Sequence, residues 1–265
     1  MPVTYAADLS RLAANLDDVR ERIGAAARAA GRDPADLTLI AVSKTWPAAD
    51  VLALRELGLE HFAENREQEA APKIAEVLTR LGAPAVARDG SAEDAAGGGS
   101  VAPGNVPVWH FVGQLQRNKV NAVTRWADWV QSVDRPELVA ALSRAAATQG
   151  RVITVCVQVS LDTPGGGGEP GRGGAAPSEV ARLTDLVAEM DGLRLAGVMA
   201  VAPRGEPARV AFARLRNVAE TVRRNHPDAR VVSAGMSGDL EAAVAEGATH
   251  LRIGTALFGE RRPVP

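Results

Sequence analysis

Eight short apolar or β-branched runs recur along the chain, at 38–42, 60–63, 108–112, 129–133, 152–159, 193–201, 230–234 and 249–253. Between them, apolar residues fall at spacings of three and four over 48–57, 66–81, 117–126, 136–148, 178–190, 207–225 and 238–246. Parallel strands need long crossover connections, usually helical, so this alternation predicts a parallel sheet wrapped in helices. Leu9, Leu12, Leu16, Val19 and Ile23 add an opening helix before the first strand, with Gly31 as its stop. The runs read as apolar throughout, as strands covered on both faces should. Eight of them in 265 residues favour an α/β fold closed into a single (β/α)8 TIM-type barrel with an extra N-terminal helix, over an open doubly wound sheet. Residues 1–265 are read as one barrel domain, with flexible loops expected at the low-complexity stretches 87–107 and 163–177.

Several function classes fall away on composition. A net charge of −2, with arginines interspersed among acids, gives no electrostatic case for nucleic acid or an anionic membrane. Cys156 is the only cysteine and lies inside the apolar run VITVCVQV, so it reads as a small core residue in a reducing compartment. Residues 1–25 lack both a cationic start and a continuous apolar core, which predicts a cytoplasmic chain without a signal peptide or spanning segment. Gly166, Gly168 and Gly171 satisfy G-x-G-x-x-G, but Pro170 and the neighbouring glycines preclude a helix there, so no dinucleotide fingerprint is assigned.

Only three of the thirty basic residues are lysines: Lys44, Lys73 and Lys119. Lys44 ends the run LTLIAVSK, at the mouth of the first strand. A lysine there is most simply a solvated end residue, yet a primary amine can also form an imine with a carbonyl, which a guanidinium cannot. Gly235-Met236-Ser237-Gly238 follows the seventh strand and Arg252-Ile253-Gly254-Thr255 ends the eighth. Each alone is an ordinary Gly-plus-hydroxyl turn. Together they occupy the two loops where barrels commonly hold phosphate. An amine at strand one and a phosphate cradle at strands seven and eight suggest a ligand with both an aldehyde and a phosphate, pyridoxal 5′-phosphate.

AVSKTWP at 41–47, FAENREQEA at 62–70, WHFVGQLQRNK at 109–119, QSVD at 131–134, LAGVMAVAP at 195–203 and SAGMSGDLEAAVAEGATHLRIGTALFG at 233–259 resemble the pyridoxal phosphate homeostasis family, related in fold to the cofactor-binding domain of alanine racemase. The resemblance runs nearly end to end. It implies one barrel that binds the cofactor as an aldimine of Lys44, with Asn65 beside the ring and Ser237, Gly254 and Thr255 at the phosphate. Arg252 resembles the residue facing the pyridine nitrogen, and Met236 and Ile253 resemble wall or backbone contacts. His110 lies near a strand end, so it either faces the pocket or packs as a hydrogen-bonded core residue. His61, His226 and His250 lack ligand-like spacing with it, and no metal site is assigned. Both glycine-rich stretches depart from the family pattern, and GRGG at 171–174 stands where the family often has a Lys-x-Gly element.

An arginine at the ring nitrogen disfavours the protonated ring that carbanion chemistry uses. The racemases take a second base, a tyrosine, from an added domain. The one tyrosine here is Tyr5, in the N-terminal segment, and six residues follow Gly259. The expected role is therefore a carrier or buffer of pyridoxal phosphate that delivers it to apoenzymes, acting as a monomer and without strong catalysis. The alternatives are a racemase-like enzyme with His110 or water as second acid or base, and a phosphosugar barrel in which Lys44 meets a sugar carbonyl.

Overall fold

Every apolar run forms a strand. In chain order they are β1 (Thr38–Val42), β2 (His61–Glu64), β3 (Val108–Phe111), β4 (Trp129–Val133), β5 (Ile153–Gln158), β6 (Leu193–Met199), β7 (Val231–Ser233) and β8 (His250–Ile253). The computed structural model describes residues 8–83, 106–162 and 173–260; Tyr5 and the expected loop positions 87–105 and 163–172 lie outside them. All eight strands are parallel, each pairs with its sequence neighbour, and β8 returns to β1 to close the barrel. The expected (β/α)8 architecture is thus what the chain adopts.

The helices are α1 (Leu9–Ala29), α2 (Ala48–Glu56), α3 (Glu67–Arg80), α4 (Val120–Val123), α5 (Pro136–Gln149), α6 (Pro177–Ala188), α7 (Ala208–Asn225), α8 (Leu240–Ala245) and α9 (Thr255–Phe258). α1 is the extra helix. It starts on an Asp8 side chain that accepts from the Arg11 N–H, and it buries the stripe Leu12, Leu16, Val19, Ile23 and Ala27. The helix expected over 117–126 is shorter: a 3-10 turn at Arg117–Lys119 leads into the single turn of α4. Residues 173–177 of the second expected loop are ordered by the sheet, since the Gly174 N–H donates to Asp134 Oδ2 and Ala175 bridges to Val159.

Among the described residues, two hydrophobic clusters divide the core. The large one fills the layer between strands and helices; a small one, Trp129, Cys156, Ala196, Met199 and Val231, lies inside the barrel. The inner face corrects the reading of the strands as apolar throughout. Polar residues alternate with apolar ones there: His61, His110, Gln131, Ser233, His250 and Arg252 occupy inward positions, while Phe62, Trp109, Phe111, Val130, Val232, Leu251 and Ile253 pack outward. Period-two alternation sends successive side chains to opposite faces, so one strand serves an apolar shell and a polar interior at once.

Candidate functional site

Strand register brings Lys44 and Asn65 to the same place. β1 pairs with β2 through Val42 and Ala63, and with β8 through Ala41 and Ile253. Lys44 and Asn65 each lie two residues beyond the paired Val42 and Ala63, and Gly254 follows Ile253. All three therefore stand at the C-terminal mouth of the barrel. Lys44 and Asn65 are both half-buried. Thr45, the next residue, holds φ at +69°, uncommon for a β-branched residue and a sign that the turn around Lys44 is imposed by its surroundings.

Those surroundings are polar and buried. Ser43 and Glu64 point to the outer side, where Lys73 of α3 reaches them: Lys73 Nζ donates to Glu64 Oε1 at 2.6 Å and to the Ser43 carbonyl at 2.7 Å. The Ser43 hydroxyl donates to the same carboxylate oxygen at 2.7 Å. Burial pushes the Glu64 carboxyl above its ordinary range, while the Lys73 ammonium pulls it back. The cluster fastens the peptide preceding Lys44 to the strand preceding Asn65. Gly113, in the loop after β3, presses on the other side; a Cβ there would lie 2.0 Å from the Asn65 carbonyl oxygen, so only glycine fits. None of Ser43, Glu64, Lys73 or Gly113 was assigned from the sequence, although each lies in or beside a segment that carried the resemblance.

The turns after β7 and β8 are joined. The Ala256 N–H of α9 donates to Ser237 Oγ at 3.1 Å, and the Arg252 N–H donates to the Gly235 carbonyl at 3.0 Å. Gly235 is required by the fold, with φ +91° and a would-be Cβ 2.7 Å from Ala243 Cβ. Gly254 differs: its φ is −114°, and a Cβ would meet Val42 at ordinary contact distance, 3.5 Å. Thr255 is exposed at the start of α9, Met236 is exposed at the rim, and Ile253 is buried in the outer core, which leaves only its backbone for a ligand. From below, α1 braces the pair of turns: Arg22 Nη2 donates to the Ser237 carbonyl, Asn15 Nδ2 to Leu257 O, and Arg11 Nη1 to Phe258 O. Positions 11, 15 and 22 share one helical face beside the apolar stripe, a pattern readable in the sequence that the motif reading passed over.

Arg252 is 4% exposed, and its guanidinium donates to two neutral oxygens, Ser233 Oγ at 2.7 Å and Ala200 O at 2.8 Å. Burial lowers its pKa to about 10, so it stays charged at neutral pH. His110 is fully buried, and both its ring nitrogens are engaged, Nδ1 with Gln131 Nε2 and Nε2 with His61 Nδ1, each at 2.9 Å. Of its two sequence readings, the hydrogen-bonded core residue is the one this geometry supports. His61, His110 and His250, unrelated by spacing, converge in space: the rings of His110 and His250 both lie against Trp129, with centroids 5.0 Å and 5.6 Å away. Desolvation holds all three below the usual imidazole value, His61 at about 4 and His250 at about 3. Cys156, also buried in the barrel, has its thiol pushed up to about 12 by burial.

Residues 7–262 match the family model described as alanine racemase, N-terminal domain. The pyridoxal phosphate homeostasis protein of Mycobacterium tuberculosis strain H37Rv is 40% identical over 259 residues, covering 96% of this chain and 94% of the relative. That of Escherichia coli strain K12 is 34% identical over 263 residues, covering 96% and 98%. Among solved structures, PipY of Synechococcus elongatus PCC7942 with PLP bound superposes with a TM-score of 0.73 at 32% identity, covering 94% of this chain and all of that one. Alanine racemase of Corynebacterium glutamicum shares the fold at 16% identity, TM-score 0.57, with 62% of its chain covered.

Proposed function

We propose, from the premise that this chain belongs to the pyridoxal phosphate homeostasis family and carries the alanine racemase N-terminal domain fold, that it holds pyridoxal 5′-phosphate reversibly on Lys44 and serves as its carrier and buffer. The residues present fit that group. Lys44 is the lysine that strand register places at the C-terminal mouth beside Asn65 and Gly254, whereas Lys73 reaches the outer side of β1 and β2, which makes Lys44 the choice for a reversible tether. Neither strain nor packing demands a glycine at 254, so its missing side chain is best explained by close approach of a ligand to the backbone. Ser237 and the Gly254–Thr255 turn would take the phosphate, Asn65 the ring's edge, and Arg252 the pyridine nitrogen.

When bound, the cofactor supplies an aldehyde that condenses reversibly with a primary amine. Lys44 supplies that amine. Ser43, Glu64 and Lys73 hold its backbone in place, and α1 keeps the phosphate turns closed on one another. Arg252 is charged and only donates, so it keeps a proton off the ring nitrogen facing it and withholds the electron sink that amino-acid chemistry needs. With both His110 nitrogens engaged, that residue is removed as a second acid or base. The chain's residues thus retain the group more than they use it, and an incoming amine releases it to apoenzymes. Among the described residues the large exposed apolar side chains, Leu9 on α1, Val152 before β5, Val210 on α7 and Met236 after β7, are scattered, in keeping with a monomer.

The register that sets Lys44, Asn65 and Gly254 side by side at one mouth, above a buried arginine with neutral partners, carries the reading. Its test is the visible spectrum of the purified protein with added cofactor, then borohydride reduction and peptide mapping. Label on Lys44, lost in a folded Lys44→Ala variant, is expected; label on Lys73 or Lys119 overturns it.

A further inference from the structure

The polar groups inside the barrel are joined end to end. Arg252 Nη1 donates to Ser233 Oγ at 2.7 Å, and the Ser233 hydroxyl donates to Gln131 Oε1 at 2.7 Å. The Gln131 amide nitrogen meets His110 Nδ1 at 2.9 Å, and His110 Nε2 meets His61 Nδ1 at 2.9 Å. The chain crosses β8, β7, β4, β3 and β2. Ser233, Gln131 and His110 are completely buried.

Its direction follows from one end. A guanidinium has no acceptor, so Ser233 Oγ must accept from Arg252 and its proton goes onward to Gln131 Oε1. The Gln131 amide then faces His110 with an N–H, which makes His110 Nδ1 an acceptor and leaves the His110 proton on Nε2. That proton points at His61 Nδ1, so His61 carries its own on Nε2. Every bond runs away from the arginine, and in a low-dielectric interior such chains polarise their members.

We infer that Ser233, Gln131 and His110 are positioning residues for Arg252, a one-way relay that fixes the guanidinium's plane and donor direction against the cofactor ring. The inference rests on the proposed cofactor reading. Without Ser233 Oγ the guanidinium keeps one neutral anchor, the Ala200 carbonyl, and can rotate about it. A misaligned donor no longer keeps the ring nitrogen unprotonated, so the relay sets the ring's titration as well as its affinity.

The experiment has two arms. In the cofactor-free protein, nitrogen NMR of the imidazoles at neutral pH should find His61 and His110 in the Nε2–H form, and Gln131→Glu should turn His110 to Nδ1–H; a wild-type His110 carrying its proton on Nδ1 overturns the relay. With pyridoxal phosphate added, Ser233→Ala should weaken binding about tenfold, the loss of one charge-assisted hydrogen bond, and should make the visible band pH-dependent where the wild type's is not. Ser233→Thr, which restores the hydroxyl, should restore both. A wild-type spectrum reproduced by a folded Ser233→Ala variant refutes the relay while leaving the tether on Lys44 intact. A wild type that forms no borohydride-trapped adduct refutes the cofactor reading itself.

Discussion

Acid should unfold this protein through three interior histidines. His61, His110 and His250 are held neutral by desolvation, the first at about 4 and the last at about 3. In the unfolded chain each returns to about 6.5. The unfolded state therefore binds more protons between those values, and stability is present in full above pH 6.5 and lost as pH falls toward 4. At pH 5.5 His61 and His250 each cost about 1.4 kcal/mol relative to pH 7.5, or about 3 kcal/mol for the pair, and His110 acts in the same direction. That is a large share of the 5–15 kcal/mol typical of a folded domain. Glu64 works in the opposite sense: burial raises its carboxyl, so it favours the folded state as pH falls. Urea unfolding at pH 7.5, 6.5 and 5.5 measures the sum, and His250→Gln isolates one member by removing about 1.4 kcal/mol of the change between pH 7.5 and 5.5. A wild-type change under about 1 kcal/mol, or a His250→Gln slope equal to wild type, would sink the argument, as would imidazole titrations by NMR with midpoints near 6.5.

Gly113→Ala forces a methyl to within 2.0 Å of the Asn65 carbonyl, so thermal stability should fall by about 1–3 kcal/mol and cofactor affinity with it. Lys73→Met leaves Glu64 buried without its cation and should cost about 3–5 kcal/mol, whereas the double change Lys73→Met with Glu64→Gln should recover most of that in denaturant titrations. Arg22→Ala removes one donor to the Ser237 carbonyl at the surface end of the brace and should raise the dissociation constant for pyridoxal phosphate a fewfold, with a change in thermal midpoint close to zero. Cys156 should resist iodoacetamide at pH 8 in the folded protein and react once urea unfolds it, since its thiol is buried and pushed up to about 12.

Much of the architecture was legible because barrel strands and crossover helices write different periods. Strand positions came within one or two residues for all eight strands, because each apolar run is bounded by turn residues. α9 escaped because one helical turn is too short to show a period, and the 117–126 helix was overcalled because Val120 and Val123 satisfy helical spacing without enough partners to extend it. Residue chemistry led to Lys44 and the paired turns, and the family motifs added Asn65. Neither led to Glu64 and Lys73, whose partnership links β2 to α3, or to Gln131, whose role exists only once β4 lies beside β3 and faces β7 across the barrel.

Lys44, the Gly-plus-hydroxyl turns and the eightfold alternation are local in sequence, and local chemistry sufficed for them: a strand's period, a turn's small residues and an amine's reactivity are properties of a few adjacent positions. Two things were decided only by closing the barrel. One is the company of His110, since alternation could place it inward but could not supply His61 and Gln131 as its partners. The other is the setting of Arg252, buried at 4% exposure on neutral oxygens from β7 and the residue after β6. Cross-strand neighbours depend on register and shear around the ring, which bring together residues far apart in the chain. Burial then sets what those groups can do, because a charge or an imidazole removed from water changes its proton affinity with its surroundings.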